Sequence, residues 1–262
     1  DYPDGLAGGP LAIALNSPIL LVSKNELPAA TVNEIKRLGA KKAIILGGRS
    51  AVSPSVESAL KALGLTTERI DGDNRYETAA RVAKKMGKNT EGKAVLASGI
   101  NFADALSISP VAAEKGWPIL FSGVNSLDTH TVNLLKEFGI KNVVIVGGRS
   151  VISTAVETQL KSMGIGVERL SGDNRYETSA VIAGKYYPKA SSISLAYGGD
   201  FADALTGSVR SATEKMPILL VSKTQVDASV KKYASGLSLS NVVVYGGRSV
   251  IPDYIVRSLS GL

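Results

Sequence analysis

Five arginines recur at matching places in the chain, among residues suited to holding an anion. Arg49, Arg149 and Arg248 each follow two glycines and precede a serine. Arg75 and Arg175 each lie inside the phrase Gly-Asp-Asn-Arg-Tyr-Glu-Thr, which occupies residues 72–78 and again 172–178. A guanidinium offers parallel N–H donors that match both oxygens of a phosphate or carboxylate. Glycines let the backbone come close to a ligand, and a helix beginning just after them presents unpaired N–H groups to an anion. The same Gly-Gly-Arg-Ser stretch also fits a plain strand-to-helix turn whose arginine pairs with a neighbouring carboxylate. A cation in the first turn of a helix is mildly unfavourable. Arg75 and Arg175 are therefore expected to pair with Asp73 and Asp173, or to meet a ligand.

Catalytic chemistry is harder to assemble. Asp4, Asp104 and Asp203 stand at equivalent places near predicted helix starts. An acid there is a favourable charge and a possible cap. A general base would need a second titratable group nearby, and none recurs at a useful spacing. His130 is the single histidine, and its counterparts are Ala30 and Ser229. Asp71-Gly72-Asp73 looks like a pair of metal-binding acids, but the second copy has Ser171 in the first place. No His-x-x-His pair, lysine-bearing phosphate loop or nucleophile elbow is present. The expectation is a chain with no catalytic residue, no metal and no cofactor. A metal-assisted phosphoester hydrolase and a purely structural layer protein stand as the alternatives.

These residues are spread by a long internal repeat. Phe102-Ala103-Asp104-Ala105-Leu106 returns at 201–205, and Tyr2-Pro3-Asp4-Gly5-Leu6 is its degenerate first copy. Ile19-Leu20-Leu21, Ile119-Leu120-Phe121 and Ile218-Leu219-Leu220 each follow a proline. The expected units are 1–65, 66–165 and 166–262, the first one incomplete, with its opening arginine-tyrosine phrase expected upstream. The 262 residues carry no cysteine and a net charge of +7. Disulfide and thiolate chemistry are thereby excluded. A basic surface favours polyanions, among them nucleic acid, anionic lipid and acidic wall polymer. No apolar run reaches membrane-spanning length.

One period positions the candidates. Thr66 to Ile70 reads as a strand, and Asn74, three residues before Glu77, reads as a helix N-cap with reciprocal capping. Ala79, Ala80, Val82, Ala83 and Met86 give the next helix its apolar stripe, which ends near Gly87. A buried strand follows at 93–97, then a helix over 103–115, a strand at 119–121, a helix over 127–138, a strand at 142–146 and a helix over 151–163. Such alternation specifies an α/β fold with mostly parallel sheets. The Gly-Gly-Arg-Ser turns fall at carboxyl ends of strands, where such sheets bind ligands. No linker-like stretch separates the units, so they are expected to pack together.

The phrases together resemble the cell-wall-binding repeat type 2 family. Arg69 to Thr78 and Arg169 to Thr178 match its start, and Asp104-Ala105-Leu106, Asp203-Ala204-Leu205 and the three Pro-Ile-Leu stretches match the rest. The resemblance covers nearly the whole chain. It implies three Toprim- or Rossmann-like α/β repeats arranged with pseudo-threefold symmetry. It also implies an extracellular, non-catalytic module that anchors an exported protein to an anionic polysaccharide of the Gram-positive wall. Nucleic acid and membrane insertion are not implied; lateral contacts with other surface proteins are. In the family the Ile-Leu-Leu motif is tied to anchoring, which points to Ile19, Leu20, Leu21, Ile119, Leu120, Ile218, Leu219 and Leu220; Phe121 departs from the motif. A buried strand is the reading those same residues give on physical grounds.

Overall fold

The computed structural model describes residues 2–259. Grouped by strand pairing, the units end one strand later than the expected bounds at 65 and 165: in the first, α1 (Tyr2–Leu6), α2 (Gly8–Ala14) and α3 (Ala29–Leu38) lead to β1 (Lys42–Leu46), α4 (Pro54–Ala62) and β2 (Thr66–Ile70), which pairs with β1. The second runs α5 (Arg75–Met86), β3 (Lys93–Ser98), α6 (Ala103–Lys115), β4 (Ile119–Ser122), α7 (Thr129–Phe138), β5 (Asn142–Val146), α8 (Thr154–Ser162) and β6 (Gly166–Leu170). The third repeats the order with α9 (Arg175–Tyr186), β7 (Ser192–Tyr197), α10 (Ala202–Thr213), β8 (Ile218–Val221), α11 (Ala228–Ser235), β9 (Asn241–Tyr245) and α12 (Asp253–Leu259). All strand pairs are parallel, in three sheets ordered β1-β2, β4-β3-β5-β6 and β8-β7-β9.

The twice-written phrase is the joint between sheets. Before it, β2 lies in register beside β1, and β6 beside β5. After it, α5 packs on β4 and α9 on β8, in the following sheet. Asn74 starts α5 as expected: its Oδ1 accepts from the N–H groups of Tyr76 and Glu77 at 2.9 and 3.0 Å. Glu77 reaches one residue further back than a reciprocal cap requires and accepts from the Asp73 N–H at 2.7 Å. Asn174, Asp173 and Glu177 repeat the arrangement. Two predicted helix starts move inward. Asp128 caps α7 through the His130 N–H, and Ser153 caps α8 through the Ala155 N–H, so both helices begin after the apolar residues that suggested them.

Helices α2, α6 and α10 pack on one another at the centre. Gly9, Ser109 and Ser208, each five residues beyond the unit's aspartate, meet there. A Cβ on Gly9 would collide with the Ser109 hydroxyl and lie 3.4 Å from that of Ser208. Helix α6 is buried continuously from Ala103 to Ala113, which explains why, Asp104 apart, its sequence there is apolar or small on every face. The first unit differs at its edge. Ile19, Leu20 and Leu21 form no strand, and among the described residues β1 pairs only with β2. In the later units the matching segments add to β3 and β7. Without such a neighbour Leu21 stays 36% exposed.

Candidate functional site

Each Gly-Gly turn leaves the carboxyl end of a strand with its first glycine at positive φ: 105° at Gly47, 104° at Gly147 and 120° at Gly246. The space a side chain would fill is taken by the unit's aspartate. An ideal Cβ would lie 2.6 Å from Oδ2 of Asp4, 2.5 Å from that of Asp104 and 2.8 Å from that of Asp203. The Asp-Ala-Leu helix and the Gly-Gly-Arg-Ser turn, far apart in sequence, thus form one corner in every unit.

A residue pair that sequence reasoning left without a role fixes two of these corners. Arg169 donates to the Gly147 carbonyl at 2.6 Å and the Ile152 carbonyl at 2.8 Å, and pairs with Glu157 at 2.7 Å. Arg69 donates to the Gly47 carbonyl at 2.7 Å and pairs with Glu57 at 3.0 Å. The signal was present: each arginine precedes the repeated phrase by three residues and follows a glutamate in the preceding helix by twelve. Hydrogen bonds from Lys61 and Arg69 hold the Glu57 carboxyl down at about 2.

With the carbonyls held by Arg69 and Arg169, the turn arginines are left outside. Arg49, Arg149 and Arg248 are exposed. Among the described residues Arg49 and Arg149 have no ion pair, and Arg248 meets Asp253 at 3.2 Å while 86% of its side chain remains in solvent. Such a surface pair constrains little.

Arg75 and Arg175 behave differently. Neither pairs with the preceding aspartate, contrary to the sequence expectation. Arg75 donates to the Gly99 carbonyl, and Arg175 to the Gly198 carbonyl at 2.5 Å. Each guanidinium therefore reaches the end of its own unit's first strand, beside a tyrosine that packs on the same glycine. Arg175 also lies over the Phe102 ring of the second unit, 5.5 Å from its centre.

A crevice of about 360 Å³ opens there. It sits above the carboxyl ends of β3 and β5, neighbours from which the chain departs in opposite directions, the usual ligand position in an open parallel sheet. Ser98, Asn101 and Phe102 line it from the end of β3, Ser150 and Val151 from the turn after β5, and Arg175 from the third unit. Asp104 lies against the same turn, and its carboxylate and the Val151 side chain crowd one point above Gly147. Asp104 is only 7% exposed, and burial raises its pKa against the opposing pull of Arg175. A second hollow of about 390 Å³ between β2 and α5 is lined by Arg81, Lys84 and Lys85 together with Glu68 and Asp71. It is not repeated, since Val181 and Gly184 replace Arg81 and Lys84 in the next unit.

The Ile-Leu segments need correction as direct contacts. Ile119, Leu120, Ile218, Leu219 and Leu220 are at most 1% exposed, packed in β4 and β8 beneath α5 and α9. Only the first-unit copy, Ile19-Leu20-Leu21, reaches solvent.

The fold and its corners define a class: tandem α/β repeats that carry the same surface residues at equivalent positions. The profile of the cell wall binding domain 2 (CWB2) family matches residues 1–57, 69–157 and 169–256, and the chain belongs to that family. It is 34% identical over 98% of its length to N-acetylmuramoyl-L-alanine amidase LytC of Bacillus subtilis, and 32% identical over 99% to the amidase enhancer of the same organism. It spans 51% and 35% of those proteins. Among solved structures it superposes on Cwp8 from Clostridium difficile with a TM-score of 0.88 and 36% identity, covering 99% of this chain and 45% of that one. This is a cell wall binding module of the bacterial surface. No helix among the described residues is long and apolar enough to cross a membrane.

Proposed function

We propose that the chain anchors an exported protein to an anionic polysaccharide of the Gram-positive wall and performs no catalysis itself. The observation that carries this reading is the outward placement of Arg49, Arg149 and Arg248 at equivalent corners of three units. One exposed guanidinium grips an anion weakly. Three on one rigid frame act on the same polymer, so that each contact raises the effective concentration for the next. Arg75 and Arg175 add half-buried charge at the joints between units. The buried Ile-Leu strands serve indirectly, by holding the sheet on which the corners stand. A direct apolar contact is open to Ile19, Leu20 and Leu21 alone. Any amidase-type or other effector domain lies outside these residues, because the relatives are about twice as long or longer.

Co-sedimentation with purified walls tests the reading. Affinity falls steeply as salt rises, since exposed charges are screened within about 10 Å at 0.1 M. Arg49→Ala, Arg149→Ala and Arg248→Ala each lower low-salt affinity by about fivefold, the scale of one exposed ion pair, and the triple variant loses most of it. Binding indifferent to salt, or a triple variant that binds like the parent, would sink the proposal.

A further inference from the structure

The crevice above the carboxyl ends of β3 and β5 is lined by donors that lack acceptors. Arg175 commits its Nη1 to the Gly198 carbonyl, and its other N–H groups meet no acceptor among the described residues. Asn101 accepts from the Ala103 N–H at 3.3 Å through Oδ1, which leaves its Nδ2 group unengaged. Ser98 is only 3% exposed, and its Oγ accepts from the N–H groups of Ile100 and Asn101 at 3.1 and 3.3 Å. Its hydroxyl proton has no acceptor among the described residues. Ser150 adds an exposed hydroxyl from the turn after β5. No carboxylate belongs to the lining; Asp104, packed on the Gly147 turn, lies outside it.

Several donors around one space, with no acceptor among them, suit an oxyanion. A carboxylate or phosphate accepts from several N–H and O–H groups at once and gains from the guanidinium charge. The rest of the lining is apolar. Ile100, at 62%, is the most exposed large apolar side chain among the described residues, and Val124 and Val151 stand in the same lining. The C–H face of a sugar ring would cover such a surface and release its water. The crevice volume of about 360 Å³ falls in the range of small-ligand sites, about 300–1,000 Å³.

Resting on the wall-polymer reading above, we infer that this crevice seats one acidic sugar residue of the polymer, its carboxylate or phosphate held by Arg175, Asn101 and Ser98 and its ring against Ile100. The repeats do not share the site equally. In the third unit Tyr197 and Asp200 replace Ser98 and Asn101, and the arginine-bearing phrase does not occur a third time. The Tyr197 ring lies 2.4 Å from where a Cβ on Gly199 would stand, with Lys223 over it, and the Asp200 carboxylate would repel an anion. In the first unit no β3-like strand supplies the floor among the described residues. The turn arginines therefore hold the polymer's charge at three corners, while its acidic sugar is recognised at one joint.

NMR of the isotope-labelled chain tests this, with glucuronate, glucose 6-phosphate and glucose added separately. One or both acids move the amides of Ile100, Asn101, Ser150 and Val151 in a single saturable step, and the acid that does so identifies the carboxylate or the phosphate as the group bound. Glucose leaves these amides in place. Asn101→Asp weakens binding at least tenfold, since a donor to a charged group becomes a like charge. The substitution keeps the Oδ1 acceptor at the start of α6, the role Asp200 fills toward the Ala202 N–H of α10 at 3.4 Å. Amides at the crevice that respond to neither acid overturn the inference, as does an equal response to glucose or an Asn101→Asp variant that binds like the parent. The titration of the parent decides without any variant. Co-sedimentation with walls separates the two readings. Walls bound with a silent crevice overturn this inference alone, and an acid bound at the crevice of a chain that ignores walls overturns the wall-polymer reading alone.

Discussion

Arg169 holds the carbonyl of Gly147 at 2.6 Å from a strand that pairs with the one Gly147 terminates. The bond ties the carboxyl end of β5 to β6 and fixes the direction in which the next residues leave the sheet. Because the clamp faces inward, Arg149 two residues later faces outward.

Loss of the clamp is a stability defect before it is a binding defect. Arg169→Ala leaves the Gly147 and Ile152 carbonyls without this donor and Glu157 without its partner, and the guanidinium is only 14% exposed. A cost of about 2–4 kcal/mol follows from stranding partly buried partners of a charged donor. Urea unfolding gives the magnitude. Arg169→Lys recovers only part of it, because an ammonium cannot reproduce the fork.

The two glycines of the turn are not equivalent. Gly147 has φ 104°, and an added Cβ would strike the Asp104 carboxylate and the Val151 side chain. Gly147→Ala should cost about 2–3 kcal/mol, the sum of backbone strain and displaced neighbours. Gly148 has no such φ, and its nearest obstacle is the Ser150 hydroxyl at 3.9 Å. Gly148→Ala should stay within about 0.5 kcal/mol of the parent. Melting curves of the two variants separate them, and a stable Gly148→Ala that loses wall affinity would mark the second glycine as the point of ligand approach.

Two carboxyls give stability opposite dependences on pH. Asp104 has its folded pKa raised by burial, so its contribution is full below the ordinary value of 3.8 and is lost as pH rises through the folded value. At neutral pH the charge works against the fold. Glu57, held at about 2 by Lys61 and Arg69, contributes above its ordinary 4.5 and loses that contribution as pH falls toward 2. Denaturant midpoints measured across pH should therefore show Asp104→Asn lifting stability at pH 7 and converging on the parent in acid. Glu57→Gln should flatten the acid limb.

The strands, the helices and the N-caps at Asn74 and Asn174 were legible because periodicity and capping chemistry are local. The outward Gly-Gly-Arg-Ser arginines could be placed because a strand-to-helix turn has one exposed side. The partners of Arg75 and Arg175 could not be read in this way. Their carbonyl acceptors lie 24 and 23 residues away, at strand ends that only the sheet brings near. Asp104 was judged by its helix position, which is shared with Asp4 and Asp203. Its carboxylate packs against the Gly147 turn, which the sheet brings near from far along the chain and the helix pattern alone does not show. Ile19-Leu20-Leu21 matches two true strands letter for letter or nearly so, yet forms none where no β3-like neighbour is available. A strand is a property of a pair, so the letters alone were insufficient.

Because β2 closes one sheet while the helix a few residues later covers the next, no lobe can be peeled away without tearing its neighbour. A tether on a growing envelope is loaded from one end. In this chain such a pull is shared across the stitched seams, so detachment should mean letting go of the wall before any single lobe comes undone.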